Sequence, residues 1–264
     1  MLGIKTSGIA CSHYLSPRSF PPTTLTFRHL KPTYSSSHRS IKMCSSAKQI
    51  IEHVVLFKAK PNADPSKLTA MVNNLNSLTS LNQVIHLSSG PLLKSSSSFS
   101  FTHILHSRYN SKSDLADYSA HPAHVSVVKE HVLPVVDDIM AVDWVATDFS
   151  GPSVVPPGSA MRVTFLKLKE NLGENEESQV LSAVGGIKEK FSGIEQLTVG
   201  ENFSPGRAKG FSIASIAVFK GVKQLEDLET QNELANEEKD KVRDCLDGVV
   251  VVDYVVPPTQ TASL

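Results

Sequence analysis

Between Asp117 and Val125 the chain reads Asp-Tyr-Ser-Ala-His-Pro-Ala-His-Val, gathering a phenol, Tyr118, and two imidazoles, His121 and His124, at a helix start. Ordinary pKa values of about 6.5 for histidine and about 10 for tyrosine make a neutral imidazole a base and a phenol an acid at neutral pH. Such a pair can take a proton from one atom of a carbonyl compound and return one to another. His121 and His124 stand three apart and could share a helix face as metal ligands. No third His, Cys or carboxylate follows at characteristic spacing, so a zinc site is not indicated. The same residues also have a purely structural explanation: His121 can cap the helix, while Tyr118 and His124 can be core residues with satisfied polar tips.

The elements around this stretch recur. His53-Val54-Val55-Leu56-Phe57-Lys58 returns as Arg162-Val163-Thr164-Phe165-Leu166-Lys167, and Met140-Ala141-Val142-Asp143-Trp144-Val145 returns as Val250-Val251-Val252-Asp253-Tyr254-Val255. Two copies of about 100 residues can each close a small core. At the same offset, Tyr118, His121 and His124 meet Leu228, Gln231 and Leu234, so the second copy keeps the frame and loses the chemistry.

Within the first copy, Ile50 to Lys60 alternates like a strand and ends at Pro61-Asn62-Ala63-Asp64-Pro65. Leu68, Met71, Val72, Leu75 and Leu78 then fall at helical spacing, with Asp64 or Ser66 placed to cap. Gln83 to Leu87 and Phe99 to Tyr109 read as strands joined by a loop containing Ser95 to Ser98. A helical region begins near Ser113, Pro122 suits the first turn of a further helix toward Leu133, and Ile139 to Val145 closes the unit. Strand, helix, strand, strand, helix, strand is the α+β, ferredoxin-like order, an antiparallel sheet with helices on one face. The uncovered apolar face of each sheet must find a partner, and the adjacent copy is the nearest one, so two sheets packed into a barrel are expected. The boundaries read as 1–47 tail, 48–150 first domain, 151–159 proline-bearing linker, 160–256 degenerate second domain and 257–264 tail.

Twenty-six Lys and Arg balance 26 Asp and Glu, so no global charge favours nucleic acid or an anionic membrane. No apolar run exceeds four residues, the length of Val249 to Val252, far short of the roughly 20 residues of a membrane span. Three cysteines without CxxC spacing suggest neither a disulfide framework nor a zinc site. No acidic residue precedes Glu52, and Ser, Thr, Pro and basic residues abound there, the composition of a plastid transit segment. The final Ala262-Ser263-Leu264 resembles a peroxisomal address without its central basic residue. A start at Met43 would omit the transit-like segment, so plastid and peroxisomal forms of one chain are both expected.

The first strand, Phe101-Thr102-His103, the Tyr118 to Val125 segment and the Val142-Asp143-Trp144 ending together resemble the plant stress-response A/B barrel family, a dimeric α+β barrel group. The likeness covers nearly all of residues 50–147 and, more weakly, 160–256. It implies a ferredoxin-like barrel half in each copy, pairing between tandem domains or as a homodimer, and a cavity for a small apolar metabolite. The family includes polyketide cyclases of the olivetolic acid cyclase type. That resemblance implies His124 as base, Tyr118 as acid and His53 as the group orienting one of them, acting on a β-keto chain without a redox cofactor. Val55, Phe57, Leu68, Met71 and His121 would line the ligand, with Leu68 and Met71 replacing larger aromatics of the cyclase floor. The family likeness also implies a structural magnesium ion on the backbone carbonyls of Leu75, Leu78 and Leu81. The readings left open are a metabolite-binding protein, a cyclase-like enzyme and, if the barrel interior is filled, a non-catalytic assembly module.

Overall fold

The computed structural model describes residues 48–230, 237 and 240–258. The transit-like segment, Ala262-Ser263-Leu264, Gln231 and Leu234 lie outside the described residues.

The first repeat runs β1 (Ile50–Ala59), α1 (Pro65–Ser77), β2 (His86–Pro91), β3 (Lys94–Ser96), β4 (His103–Tyr109), α2 (Lys112–Ala120), α3 (Pro122–Val127) and β5 (Val136–Ala146). Local chemistry accounts for the helix starts. Asp64 accepts from the Ser66 N–H at 2.8 Å and Pro65 occupies the first turn of α1, where a missing N–H costs nothing. Ser111 caps α2 by accepting from Asp114 N–H. His121 caps α3, its Nδ1 accepting from Ala123 N–H at 3.2 Å, with Pro122 behind it.

The second repeat runs β6 (Ala160–Leu168), α4 (Glu174–Gly185), α5 (Ile187–Lys190), β7 (Ile194–Glu201), β8 (Ile213–Phe219), α6 (Val222–Thr230) and β9 (Leu246–Val255). The first sheet has the order β2-β4-β1-β5 and the second β3-β9-β6-β8-β7, with antiparallel pairing throughout. Each repeat is thus a ferredoxin-like unit.

Strand alternation sorts β1 into two faces. Val54 and Leu56 meet Val163 and Phe165 of the second sheet in one continuous core with Met140, Trp144, Ile216 and Tyr254. Ile51 and Phe57 point the other way, toward Met71, Leu75 and Tyr118 beneath the helices. The paired sheets therefore pack as expected, and the centre between them is a packed core. Large side chains from both repeats fill that interior, Trp144, Phe165 and Tyr254 among them. Of the residues expected to line the ligand, Val55, Phe57, Leu68 and Met71 lie between the first sheet and its helices.

A second departure concerns the expected loop from Ser95 to Ser98. Lys94–Ser96 form β3, which leaves its own repeat and pairs with Asp253, Val252 and Val251 of β9. The edge of β9 exposes unpaired backbone groups that a neighbouring segment can satisfy; such a pairing between repeats has no local sequence signal. On the opposite side of the barrel, residues after β7 return the exchange: Asn202 bridges Trp144, and Phe203 N–H donates to the Asp143 carbonyl at 2.9 Å. There β7 lies so close to β5 that a Cβ on Gly200 would stand 2.7 Å from the Val145 carbonyl oxygen.

Candidate functional site

The histidine of β1 and the aspartate of β5 stand in register on adjacent strands. His53 Nδ1 lies 2.5 Å from Asp143 Oδ1, and both side chains are about nine-tenths buried. A carboxylate can only accept, so His53 Nδ1 carries the proton and Nε2 is its other working atom. Burial opposes ionisation of Asp143, but His53 beside it, with a smaller effect of the nearby Ser204, outweighs that and holds its carboxyl below the usual range.

Around this pair β4 brings one more ring, Tyr109, and the helices bring two, Tyr118 and His124. His53 lies 6.4 Å from Tyr109 and 6.5 Å from Tyr118, centroid to centroid, and the two phenols are 5.3 Å apart. Tyr118 in turn lies 4.6 Å from His124. The junction between α2 and α3 makes this contact: Pro122 and the His121 cap end one helix and start the next, folding His124 back over the last turn of α2. His124 Nδ1 meets the Ser119 carbonyl oxygen at 2.9 Å. A carbonyl only accepts, so the proton sits on Nδ1 and Nε2 keeps its lone pair.

Electrostatics assign opposite roles to the two partners. Burial holds His124 below the ordinary histidine range, against the smaller opposing effect of the Ser119 bond, so the ring is a neutral base. Burial also lifts Tyr118 well above the usual phenol range, with the Tyr109 hydroxyl pulling the other way, so the phenol keeps its proton. Although Tyr109 is near enough to be felt, the Tyr118 hydroxyl has no hydrogen bond of good geometry among the described residues. It is buried and free to donate.

Val55, Phe57, Leu68 and Met71 pack in the same layer as Tyr118. His121 does not join them, because its Nδ1 is committed to the α3 cap. Three contributors were missed in the sequence reading. Tyr109 packs against both Tyr118 and His53; Asp143 orients His53; and the segment after β7 closes over Asp143, with the Asn202 side chain accepting from Asp143 N–H at 3.2 Å. Asp143 had a signal, an acid repeated as Asp253 within two otherwise apolar stretches, Met140–Val145 and Val250–Val255. The segment after β7 had none.

The carbonyls of Leu75, Leu78 and Leu81 are not the unpaired groups expected at a helix end. Each accepts a backbone N–H, from Leu78, Leu81 and Val84 respectively. Only their second lone pairs are available to a cation. Among the described residues no cluster of three or more His, Cys, Asp or Glu side chains is placed to hold a metal ion.

Comparison with known proteins agrees with this architecture. The family model described as Stress responsive A/B Barrel Domain matches twice, over residues 51–146 and 161–256. A stress-response A/B barrel domain-containing protein of Arabidopsis thaliana is 55% identical over 228 residues, covering 85% of this chain and 87% of that protein. A second Arabidopsis thaliana protein of the same description is 47% identical over 211 residues, covering 79% of this chain and 97% of its own. Among solved structures, an anthrone oxidase-like protein superposes with a TM-score of 0.55 at 14% identity, covering 80% of this chain and 93% of its own, a likeness of fold alone.

Proposed function

We propose that this chain, which belongs to the stress-responsive A/B barrel family, binds a small apolar carbonyl compound in its first domain and moves protons on it without a redox cofactor. The observation that supports this reading is the paired polarity of His124 and Tyr118: a neutral imidazole with its Nε2 lone pair free beside a buried phenol that keeps its proton. In a β-keto chain, the carbon between two carbonyls is acidic enough for an imidazole. His124 Nε2 takes that proton, the carbanion attacks a second carbonyl carbon, and the Tyr118 hydroxyl protonates the resulting alkoxide. The proton held on His124 then restores the phenol, so nothing is oxidised or reduced. His53, held by Asp143, is a positioning residue. Positioned groups of this kind each contribute about 10² to 10⁴-fold.

The test is turnover and binding of a synthetic β-keto ester or triketide lactone precursor by the full chain. His124→Ala is expected to abolish turnover and retain binding, and Tyr118→Phe to lower turnover at unchanged fold. Parent-like turnover in both folded variants would overturn the reading.

A specific observation also favours an assembly role: the filled interior between the sheets. In that case β-keto compounds neither bind nor react, and the two repeats serve only each other's apolar faces. Delivery to plastids through residues 1–47, or to peroxisomes through Ala262-Ser263-Leu264, belongs to the same proposal and is decided by mass spectrometry of the protein from each organelle.

A further inference from the structure

The two seams of the barrel differ. At one, β5 lies against β7, and Glu52 and Arg108 of the first sheet are answered across it by Thr198 and Gln196: Thr198 Oγ1 to Glu52 Oε1 is 3.1 Å and Arg108 Nη2 to Gln196 Oε1 is 2.7 Å. At the other, between β2 and β9, the surface opens into a groove of about 880 Å³. His86 and Ser88 stand in β2 where Gln196 and Thr198 stand in β7, one repeat later. Unlike those counterparts, His86 Nε2 and the Ser88 hydroxyl meet no hydrogen-bonding group across the seam among the described residues.

His86 and Ser88 line that groove from the barrel-facing side of β2, and Tyr254 of β9 lines it opposite. All three are more than nine-tenths buried. Yet His86 Nε2, the Ser88 hydroxyl and the Tyr254 hydroxyl have no hydrogen-bond partner among the described residues. Ser88 is close enough to Tyr254 to influence its phenol, which burial nonetheless pushes up to about 12, but no hydrogen bond of good geometry joins them. Gly90 keeps the phenol in place: a Cβ there would stand 3.2 Å from Tyr254 Cε2 and 3.5 Å from its hydroxyl. Buried polar groups cost free energy unless something satisfies them.

The rest of the lining is apolar, including Val72, Leu92, Leu93 and Val155, or carries an amide or a hydroxyl, the hydroxyls of Thr79 and Ser89 being bonded to backbone carbonyls; no Asp, Glu, Lys or Arg is among it. An anion or cation entering would shed water without a countercharge. The size suits a small organic molecule, for which pockets of roughly 300 to 1,000 Å³ are usual. We infer that the seam between β2 and β9 is a binding site, separate from the His124 and Tyr118 pair, for a neutral molecule with an apolar body and a hydroxyl or carbonyl end. Its polar end meets the Tyr254 and Ser88 hydroxyls and its body lies along Leu92, Leu93 and Val155.

Displacement of Nile red from the full chain, followed by fluorescence, tests this with decan-1-ol and decanoate as competitors at pH 8. Decan-1-ol is expected to compete at least about tenfold better than decanoate, because the buried carboxylate would have no countercharge in the lining. Tyr254→Phe and Ser88→Val each remove a hydroxyl that has no hydrogen-bond partner among the described residues, so both should fold and weaken decan-1-ol by about tenfold. Tyr118→Phe and His124→Ala should leave this competition unchanged, which separates the groove from the acid/base site. The inference is overturned if Nile red does not bind, as when the groove holds ordered water only. It is equally overturned if decanoate competes as well as decan-1-ol, if folded Tyr254→Phe or Ser88→Val binds like the parent, or if the loss follows Tyr118 or His124.

Discussion

His53 and Asp143 face each other across β1 and β5 at 2.5 Å, and Arg162 and Asp253 occupy the same two register positions in the second repeat, at 2.8 Å. One cross-strand geometry thus serves two purposes. An imidazole on the carboxylate gives an oriented ring with a second working nitrogen beside Tyr118. A guanidinium gives a two-pronged ion pair, Nε and Nη2 each 2.8 Å from a carboxylate oxygen, with no proton to exchange at neutral pH.

Asp143→Asn is therefore expected to lower turnover of a β-keto substrate by about tenfold or more through loss of His53 orientation, with little change in KM. Asp253→Asn should leave turnover alone and destabilise the fold by about 3 kcal/mol, since it strands a partly buried Arg162. Kinetics paired with urea unfolding of both variants check this. Equal kinetic effects from the two would deny the first pair its special place.

The pH profile of turnover should rise on its acid side with a midpoint below the ordinary histidine value of 6.5, because burial depresses His124 and the base is lost only when the ring protonates. No alkaline fall from Tyr118 is expected below pH 10, because burial raises that phenol. Steady-state rates from pH 4.5 to 10 measure both limbs.

Acid should unfold the protein through a buried cluster between the sheets. Glu52 accepts from Arg108 Nε at 3.1 Å and lies 2.7 Å from His106 Nε2, with all three side chains fully buried. Burial opposes the Glu52 charge, but Arg108 and His106 prevail and hold it at about 2, from 4.5. A carboxyl depressed this far contributes roughly 3 kcal/mol above its unfolded pKa and loses it as pH falls from 4.5 toward 2. His86, held at about 2 by burial first and by His106 and Arg108 next, adds to the loss below pH 6.5, where the unfolded chain takes up a proton that the folded chain refuses. Urea melts at pH 7, 5.5 and 4 should show stability falling throughout, and His86→Gln should flatten the first step. Glu52→Gln should cost about 3 to 5 kcal/mol at pH 7, because Arg108 loses its carboxylate.

Residues 48–150 made alone should self-associate or melt well below the whole chain. They would expose Val54, Leu56, Val142 and Trp144 to water and leave β3 without β9. Sedimentation and thermal melts read the outcome. A monomer as stable as the whole chain would show that the second repeat does not cover this face.

Magnesium at the end of α1 would have to use the second lone pairs of the Leu75, Leu78 and Leu81 carbonyls. If it binds there, millimolar magnesium should raise the melting temperature and EDTA should lower it, with turnover unchanged at low temperature. Superimposable melts would remove the ion from the account.

Much of this protein was legible in its residues. The alternation of β1, the stripe from Leu68 to Leu78, the Asp64 cap and Pro122 are local signals, each fixed by neighbours within a few positions. The recurrence of β1 and β5 gave the two-domain plan, and the loss of Tyr118 at Leu228 showed which copy keeps the acid/base residues. Tertiary structure decided which face those residues occupy. A strand presents side chains to both faces in alternation, and only packing shows that His53 looks toward the helices while Val54 looks into a filled barrel. It also decided the partners that lie far apart in the chain: Asp143 for His53, β9 for Lys94–Ser96, and the segment after β7 that closes over Asp143. Hydrogen bonds between residues so distant in sequence leave no periodic trace, because they depend on how two sheets meet and not on the residues either side of the donor.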